Sequence, residues 1–441
     1  MSAEVPQHVH SSIGFGIATA VPSATAAANA IRQQGGSVFD MYLAALTCSW
    51  VADPANCSPF GNSHREDGVC DMSQRRVRAR DVGFPFSGLP GAKNSITDVA
   101  GVEVGHTTLV SGEGSLIVGQ GPVRTGVTAI LPRGRKDPRS SFAGSFALNA
   151  AGEVTGLTWV EERGYIEGPI LITNTHSVGI VRDAAIKWML SNGYKFEWTV
   201  PVVGETYDGI LNDINGFHVR DEHVYSALNN ANSDMVLEGN VGGGTGMICY
   251  EYKGGIGSSS RVVEGFSEKY TVGVLVQANY GRRKDLRIAG VKLSDTQSRE
   301  PETENRLMPP KNGCLGEGSI IVVIATDAPL LPHQLKRLAK RPSMGIARLG
   351  GIATEASGEI FVAFSTANAI ASDNCDGAAL PLSISMYPNA GLTPFFEAAV
   401  DATEEAILNA MVAAECMIGI NGYRVDALPY REIVKKGNAN G

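Results

Sequence analysis

Nowhere in the 441 residues does an apolar run reach the roughly 18–20 positions that a bilayer-crossing helix needs, so no membrane span is expected. Cysteine is scarce: seven residues, scattered from Cys48 to Cys416 with no CxxC pair. That spacing suggests neither a zinc ribbon nor a disulfide framework, and a reduced compartment is the simpler expectation. Positive charge is in the minority, 37 Lys and Arg against 45 Asp and Glu, and a net charge of −8 argues against nucleic acid or an anionic membrane as partner. The opening residues MSAEVPQHVH lack the basic segment of a secretory signal, so a cytoplasmic protein is expected. The eight histidines are dispersed, and neither H-E-x-x-H nor G-x-S-x-G occurs. The glycine-rich run GNVGGGTGM (239–247) has no Lys-Ser/Thr to follow it, so it reads as a turn allowing close chain approach and not as a nucleotide loop.

What remains describes an ordinary soluble globule, with 43% hydrophobic residues, 19% charged residues and 52 glycines for tight turns. Apolar runs bounded by Gly or Pro predict buried strands at 125–134, 168–181 and 270–281, and 94–110 alternates as strand and turn. Helical spacing covers 182–193, 221–231 and 332–341. The clearest helix is 393–417, with Thr393 as N-cap and Pro394 in the first turn. Strands mixed with helices in this order give an α/β protein. Residues 1–77 read as a separate piece: helix, Gly-Gly turn and helix over 21–54, then a polar linker whose HREDGVC lacks the tight spacing of a metal site. The main domain is 78–441.

One junction organises this domain. Residues 292–318 are charged, Pro-bearing and without apolar period, and they stop at Gly318-Ser319. Ile320 to Ala325 then runs continuously apolar and β-branched, the mark of a strand covered on both faces. Ser319 is either simply the first residue of that strand or the product of chain cleavage at a glycine. Cleavage there would leave a serine with a hydroxyl and a free α-amine, whose reference pKa of ~7.7–8.0 suits it as a local base. A serine hydrolase without an evident histidine partner needs such a base.

GSIIVVIATDAPLLPHQLKRLAKR, with ETYDGILNDINGF (205–217), GNVGGGTGM, VQANYG (276–281) and SGEIFVAFSTAN (357–368), resembles the family of L-aminopeptidase/D-amidase/D-esterases and β-peptidyl aminopeptidases. The likeness runs in order from about Arg78 to Met417. It implies a four-layer αββα sandwich of the self-cleaving N-terminal-nucleophile type, with cleavage between Gly318 and Ser319. It further implies Ser319 as nucleophile, with Ser357 beside its hydroxyl and Glu359 holding that serine, the α-amine or a substrate amine. Asn279 would be an oxyanion donor, with Tyr207 donating to the same oxygen or closing the pocket. Short peptides, amides or esters with a free amine are the implied substrates, a homotetramer the implied assembly, and no metal or organic cofactor is called for. The alternatives are an acyltransferase of the ornithine-acetyltransferase type, whose nucleophile is threonine, and a non-catalytic relative. Residues 21–54 resemble the start of γ-glutamyltransferases, without that family's nucleophile region.

Overall fold

The computed structural model describes residues 77–266, 268–293, 318–370 and 381–439. The readings of residues 1–76 and of the loop at 294–317 lie outside them. Among the described residues ten strands form the two main sheets, and two short helices, α1 (Leu157–Arg163) and α5 (Pro342–Arg348), accompany the longer ones named below. The first sheet contains β1 (Glu103–Ser111), β2 (Val123–Leu131), β5 (Ile170–Asn174) and β6 (Val202–Thr206), in the order β1-β2-β5-β6. The second contains β3 (Ser140–Ala150), β4 (Tyr165–Ile166), β7 (Gly255–Glu264), β8 (Lys269–Asn279), β9 (Ser319–Thr326) and β10 (Gly358–Ile370), in the order β4-β3-β10-β9-β8-β7. Among the described strands only β5–β6 and β9–β10 pair in parallel.

The apolar run of β9 explains the layering. Successive strand side chains leave opposite faces. Ile320, Val322 and Ile324 pack with Leu335, Leu338, Phe395 and Ile407 of helices α4 (Pro332–Ala339) and α6 (Thr393–Val412). Ile321, Val323 and Ala325 point the other way and meet Ile130, Ile170, Ile172 and Val202 of the first sheet. On that sheet's far face, Val127, Ala129, Leu131 and Leu171 pack against Val181, Ala185, Val224 and Leu228 of α2 (Val178–Ser191) and α3 (Asp221–Asn229). Three apolar layers thus separate helices, sheet, sheet and helices, the αββα sandwich. Each fully buried Val, Ile or Leu contributes about 1.5–3 kcal/mol relative to exposure.

Three readings change. The segment TNTHSVGIV leaves the strand early: the Asn174 side chain accepts the Ser177 N–H at 2.9 Å, turns the chain, and α2 begins at Val178, not Arg182. Helix α6 has Leu392 at its N-cap and ends at Val412. Cys416 is disulfide-bonded, and no local spacing rule could pair it, since every other cysteine is remote in sequence. The GNVGGGTGM run does serve close approach: a Cβ on Gly244 would meet Ile256 N at 2.4 Å.

Strands β3 and β7 escape apolar patterning for a common reason. A Cβ on Gly257 would lie 1.9 Å from the Ala406 carbonyl of α6, and one on Gly144 would lie 2.4 Å from Lys336 N of α4. Helices lying this close admit only small residues. The buried serines of β7 satisfy their hydroxyls locally: Ser258 donates to the Val274 carbonyl at 2.7 Å and Ser259 to the Ala402 carbonyl at 2.7 Å. A buried charge cluster ties the segment that enters the domain to these elements. Fully buried Glu405 of α6 accepts from Arg80 at 2.8 Å, Asn94 at 2.6 Å and the buried Arg261 at 2.8 Å.

Candidate active site

Three strand ends meet where β9 starts. Ser319 is in register with Asn279, the last residue of antiparallel β8, and with Gly358, the first of parallel β10. Gly318 accepts the Gly358 N–H on its carbonyl at 3.1 Å, so the bond between Gly318 and Ser319 is held in the sheet ladder. A Cβ on Gly318 would stand 1.9 Å from the Asn279 carbonyl oxygen, so this position requires glycine for space.

Residues paired across a ladder share a face, so the side chains of Ser319 and Asn279 both point between the sheets, as Ile321 does. Ser319 is buried, with 7% of its surface exposed. The Asn279 amide is fixed at both ends. Its Oδ1 accepts the Ile248 N–H at 2.7 Å and its Nδ2 donates to the Tyr207 carbonyl at 3.0 Å. An amide nitrogen carries two N–H groups, so one remains for another acceptor on the Ser319 face. The Tyr207 main chain therefore enters the site through its carbonyl. Its half-exposed phenol lies over Gly209, where a Cβ would be 2.4 Å from Oη. Burial and the neighbouring Asp208 raise that phenol's pKa.

Ser357 and Glu359 do point the same way, as i and i+2 residues must. The Ser357 hydroxyl donates to Glu359 Oε1. Glu359 is in register with Ile320, whose side chain faces the helices, so this pair leaves the sheet on the side opposite to the Ser319 hydroxyl. Tyr280, Arg282 and Asp285 line a small cavity with it. Glu359 is fully buried, and its Oε2 has no hydrogen-bond partner among the described residues. Burial raises its pKa, against the Ser357 bond that lowers it.

The structure adds Glu205 at the end of β6, which motif reading passed over. Its Oε1 lies 3.0 Å and the Ser319 Oγ 3.7 Å from the one point that a Cβ on Gly152 would occupy. The carboxylate and hydroxyl therefore flank one small space, open because residue 152 has no side chain. Glu205 Oε1 accepts the Glu153 N–H at 2.9 Å, and Oε2 accepts from Thr175. Burial raises its pKa, and those two bonds oppose the rise. The available signal was a carboxylate inside VVGET, a strand buried at every position.

A hydroxyl and a spare amide donor on one strand face, with a buried carboxylate near the hydroxyl, suit acyl transfer from a substrate that bears a cation. The comparisons agree. Residues 94–425 match peptidase family S58. A β-peptidyl aminopeptidase of Sphingosinicella microcystinivorans is 55% identical over 361 residues, 81% of this chain and 90% of that one. A second, from Sphingosinicella xenopeptidilytica, is 46% identical over 364 residues, again 81% and 90% of the two chains. The L-aminopeptidase D-Ala-esterase/amidase of Ochrobactrum anthropi, described as a prototype serine aminopeptidase and a variant of the Ntn hydrolase fold, superposes with a TM-score of 0.75. It is 45% identical, and the match covers 82% of this chain and 99% of that one. The chain belongs to peptidase family S58, and is a serine aminopeptidase or amidase of the N-terminal-nucleophile fold.

Proposed function

We propose that the protein cleaves itself between Gly318 and Ser319 and then removes N-terminal residues from short peptides, amides or esters. In the first stage Ser319 Oγ attacks the Gly318 carbonyl carbon and the Gly318–Ser319 C–N bond breaks. This leaves an ester and a free α-amine on Ser319. Water hydrolyses the ester to the Gly318 carboxylate and restores the hydroxyl. The Gly358 N–H on the Gly318 carbonyl polarises that carbon for attack.

In the second stage the Ser319 hydroxyl attacks the substrate carbonyl and its α-amine takes the proton. The spare N–H of Asn279 receives the oxyanion, with the Tyr207 phenol at the rim. The leaving amine departs with a proton, and water releases the acyl group. Glu205 holds the substrate's ammonium across the cleft. Ser357 and Glu359, behind the strand, orient the new α-amine, and the unpartnered Glu359 Oε2 supplies the acceptor.

The observation that carries this reading is the register of Ser319 with Asn279 and Gly358, opposite a buried carboxylate. The likeness to β-peptidyl aminopeptidases favours substrates that begin with a β-amino acid. The acyltransferase alternative would use threonine, and position 319 is serine. A homotetramer completes the proposal, and the exposed Ile117 and Val118 support association; the disulfide bond of Cys416 weighs against the reduced, cytoplasmic setting that the scarcity of cysteine suggests. Intact mass measurement tests the core claim. Two chains in the wild type, the smaller starting at Ser319, and one intact chain in Ser319→Ala are expected. A single 441-residue chain from an active wild type would overturn it.

A further inference from the structure

Lys253 is fully buried, and the mechanism above leaves it unused. All of its side-chain bonds go to main-chain carbonyls: Met247 at 2.7 Å, Gly254 at 3.0 Å and Gly244 at 3.3 Å. An ammonium offers three donors and no acceptor, which matches three carbonyls. Keeping a cation here is costly. Burial pushes its pKa down to about 7, while Cys249 and Asp208 act in the opposite direction.

The Met247 carbonyl belongs to the same peptide unit as the Ile248 N–H. That N–H donates to Asn279 Oδ1 at 2.7 Å, and Asn279 Nδ2 donates onward to the Tyr207 carbonyl at 3.0 Å. Lys253 thus stands at the head of a continuous line of dipoles that ends at the amide beside Ser319. A carbonyl that accepts a strong bond makes its own N–H a better donor, and linked bonds strengthen one another by about 10–30% each.

The hairpin carrying these groups also needs a clamp. Ile248–Cys249 pairs with Tyr252–Lys253 across a turn in which Tyr250 and Glu251 both take positive φ, 51° and 60°. Two non-glycine residues in that region persist only where the surroundings hold them. The Tyr250 N–H bonds the Tyr280 carbonyl at 2.7 Å, the Lys253 N–H bonds the Asp426 carbonyl at 2.8 Å, and the ammonium ties the glycine turn to the hairpin.

We propose that Lys253 is a positioning residue for hydrolysis: by clamping the Met247–Ile248 peptide it holds Asn279 with its free N–H aimed at the reacting carbonyl. This rests on the oxyanion role of Asn279, so the test is a double-mutant cycle on the self-cleaved protein, with kcat expressed per cleaved chain. Asn279→Ala alone tests the oxyanion role, through a kcat loss on the order of 10²–10³-fold. Lys253→Met is expected to lower kcat by roughly 10- to 100-fold with KM unchanged, and by less than about threefold in the Asn279→Ala background. Equal losses in both backgrounds, or a change in KM alone, overturn the inference while leaving the Asn279 role standing. If Asn279→Ala keeps its kcat, the oxyanion reading fails, and this inference with it. Should Lys253→Met not fold, Lys253→Gln, which still donates, replaces it; failure of both to fold would make the lysine purely structural and overturn the proposal. A crystal structure of the folded variant gives a second readout. Asn279 displaced from Ile248 or Tyr207 supports the proposal, and an unmoved Asn279 overturns it whatever the kinetics.

Discussion

The substitution Glu205→Gln isolates the substrate anchor from the rest of the machinery. It removes a charge while keeping the shape of the side chain and an oxygen able to accept from the Glu153 N–H. Glu205 is 4% exposed, so a substrate ammonium paired with it is largely desolvated. Removing one partner of a buried, hydrogen-bonded charge pair costs about 2–5 kcal/mol. At 1.4 kcal/mol per factor of ten, kcat/KM for a substrate with a free amine should fall roughly 30- to 4,000-fold. The assay compares β-alanine p-nitroanilide with an ester of similar size that lacks the amine. The ester should be turned over equally by both proteins, and self-cleavage should proceed in both, because neither involves a substrate ammonium. Burial raises the carboxyl's pKa, so Glu205 takes up its proton above the ordinary carboxylate range as pH falls. The protonated form cannot pair with an ammonium, so activity toward the amine substrate should be lost on the acid side, and Glu205→Gln should remove that component. A variant within threefold of wild type on the amine substrate would refute the anchor.

Two further outcomes concern stability. Glu405→Leu leaves the buried Arg261 without its carboxylate and frees Arg80, so urea unfolding should show a loss of about 3–5 kcal/mol; a change below about 1 kcal/mol would mean the cluster is solvated. Asp208 is fully buried, and burial pushes its carboxyl up to about 7, against roughly 3.9 in an unfolded chain. Between those values the folded state holds a proton that the unfolded state has lost, so stability falls as pH rises through the window and levels off above it. Asp208→Asn removes this slope, worth up to about 4 kcal/mol. The Tm difference, variant minus wild type, should therefore be larger at pH 8 than at pH 4.5, and equal differences at the two values would refute the assignment.

Much of this was legible before the fold. The β-branched run from Ile320 to Ala325 announced a strand buried on both faces, and both faces are buried. The i and i+2 spacing of Ser357 and Glu359 foretold their shared direction, and their hydrogen bond bears it out. Strands β3 and β7 were not legible, because glycine and serine there answer to helix backbones lying upon them, and polarity masked the burial of most of β7 and the first half of β3. The role of the Tyr207 carbonyl was equally hidden, since main-chain groups leave no mark on residue type.

By itself, then, the chain's order of residues determined that the apolar runs such as Ile320–Ala325 were buried and where a polar loop meets a strand at Gly318-Ser319. Apolar runs and periodicity are properties of neighbours along the chain, so they can be read along it. Only the tertiary structure decided which groups face Ser319. Asn279 reaches it by antiparallel register, and Glu205 crosses from the other sheet. Those relations depend on how two sheets stack and on the atoms that glycine leaves out, and neither is a property of any one stretch of sequence.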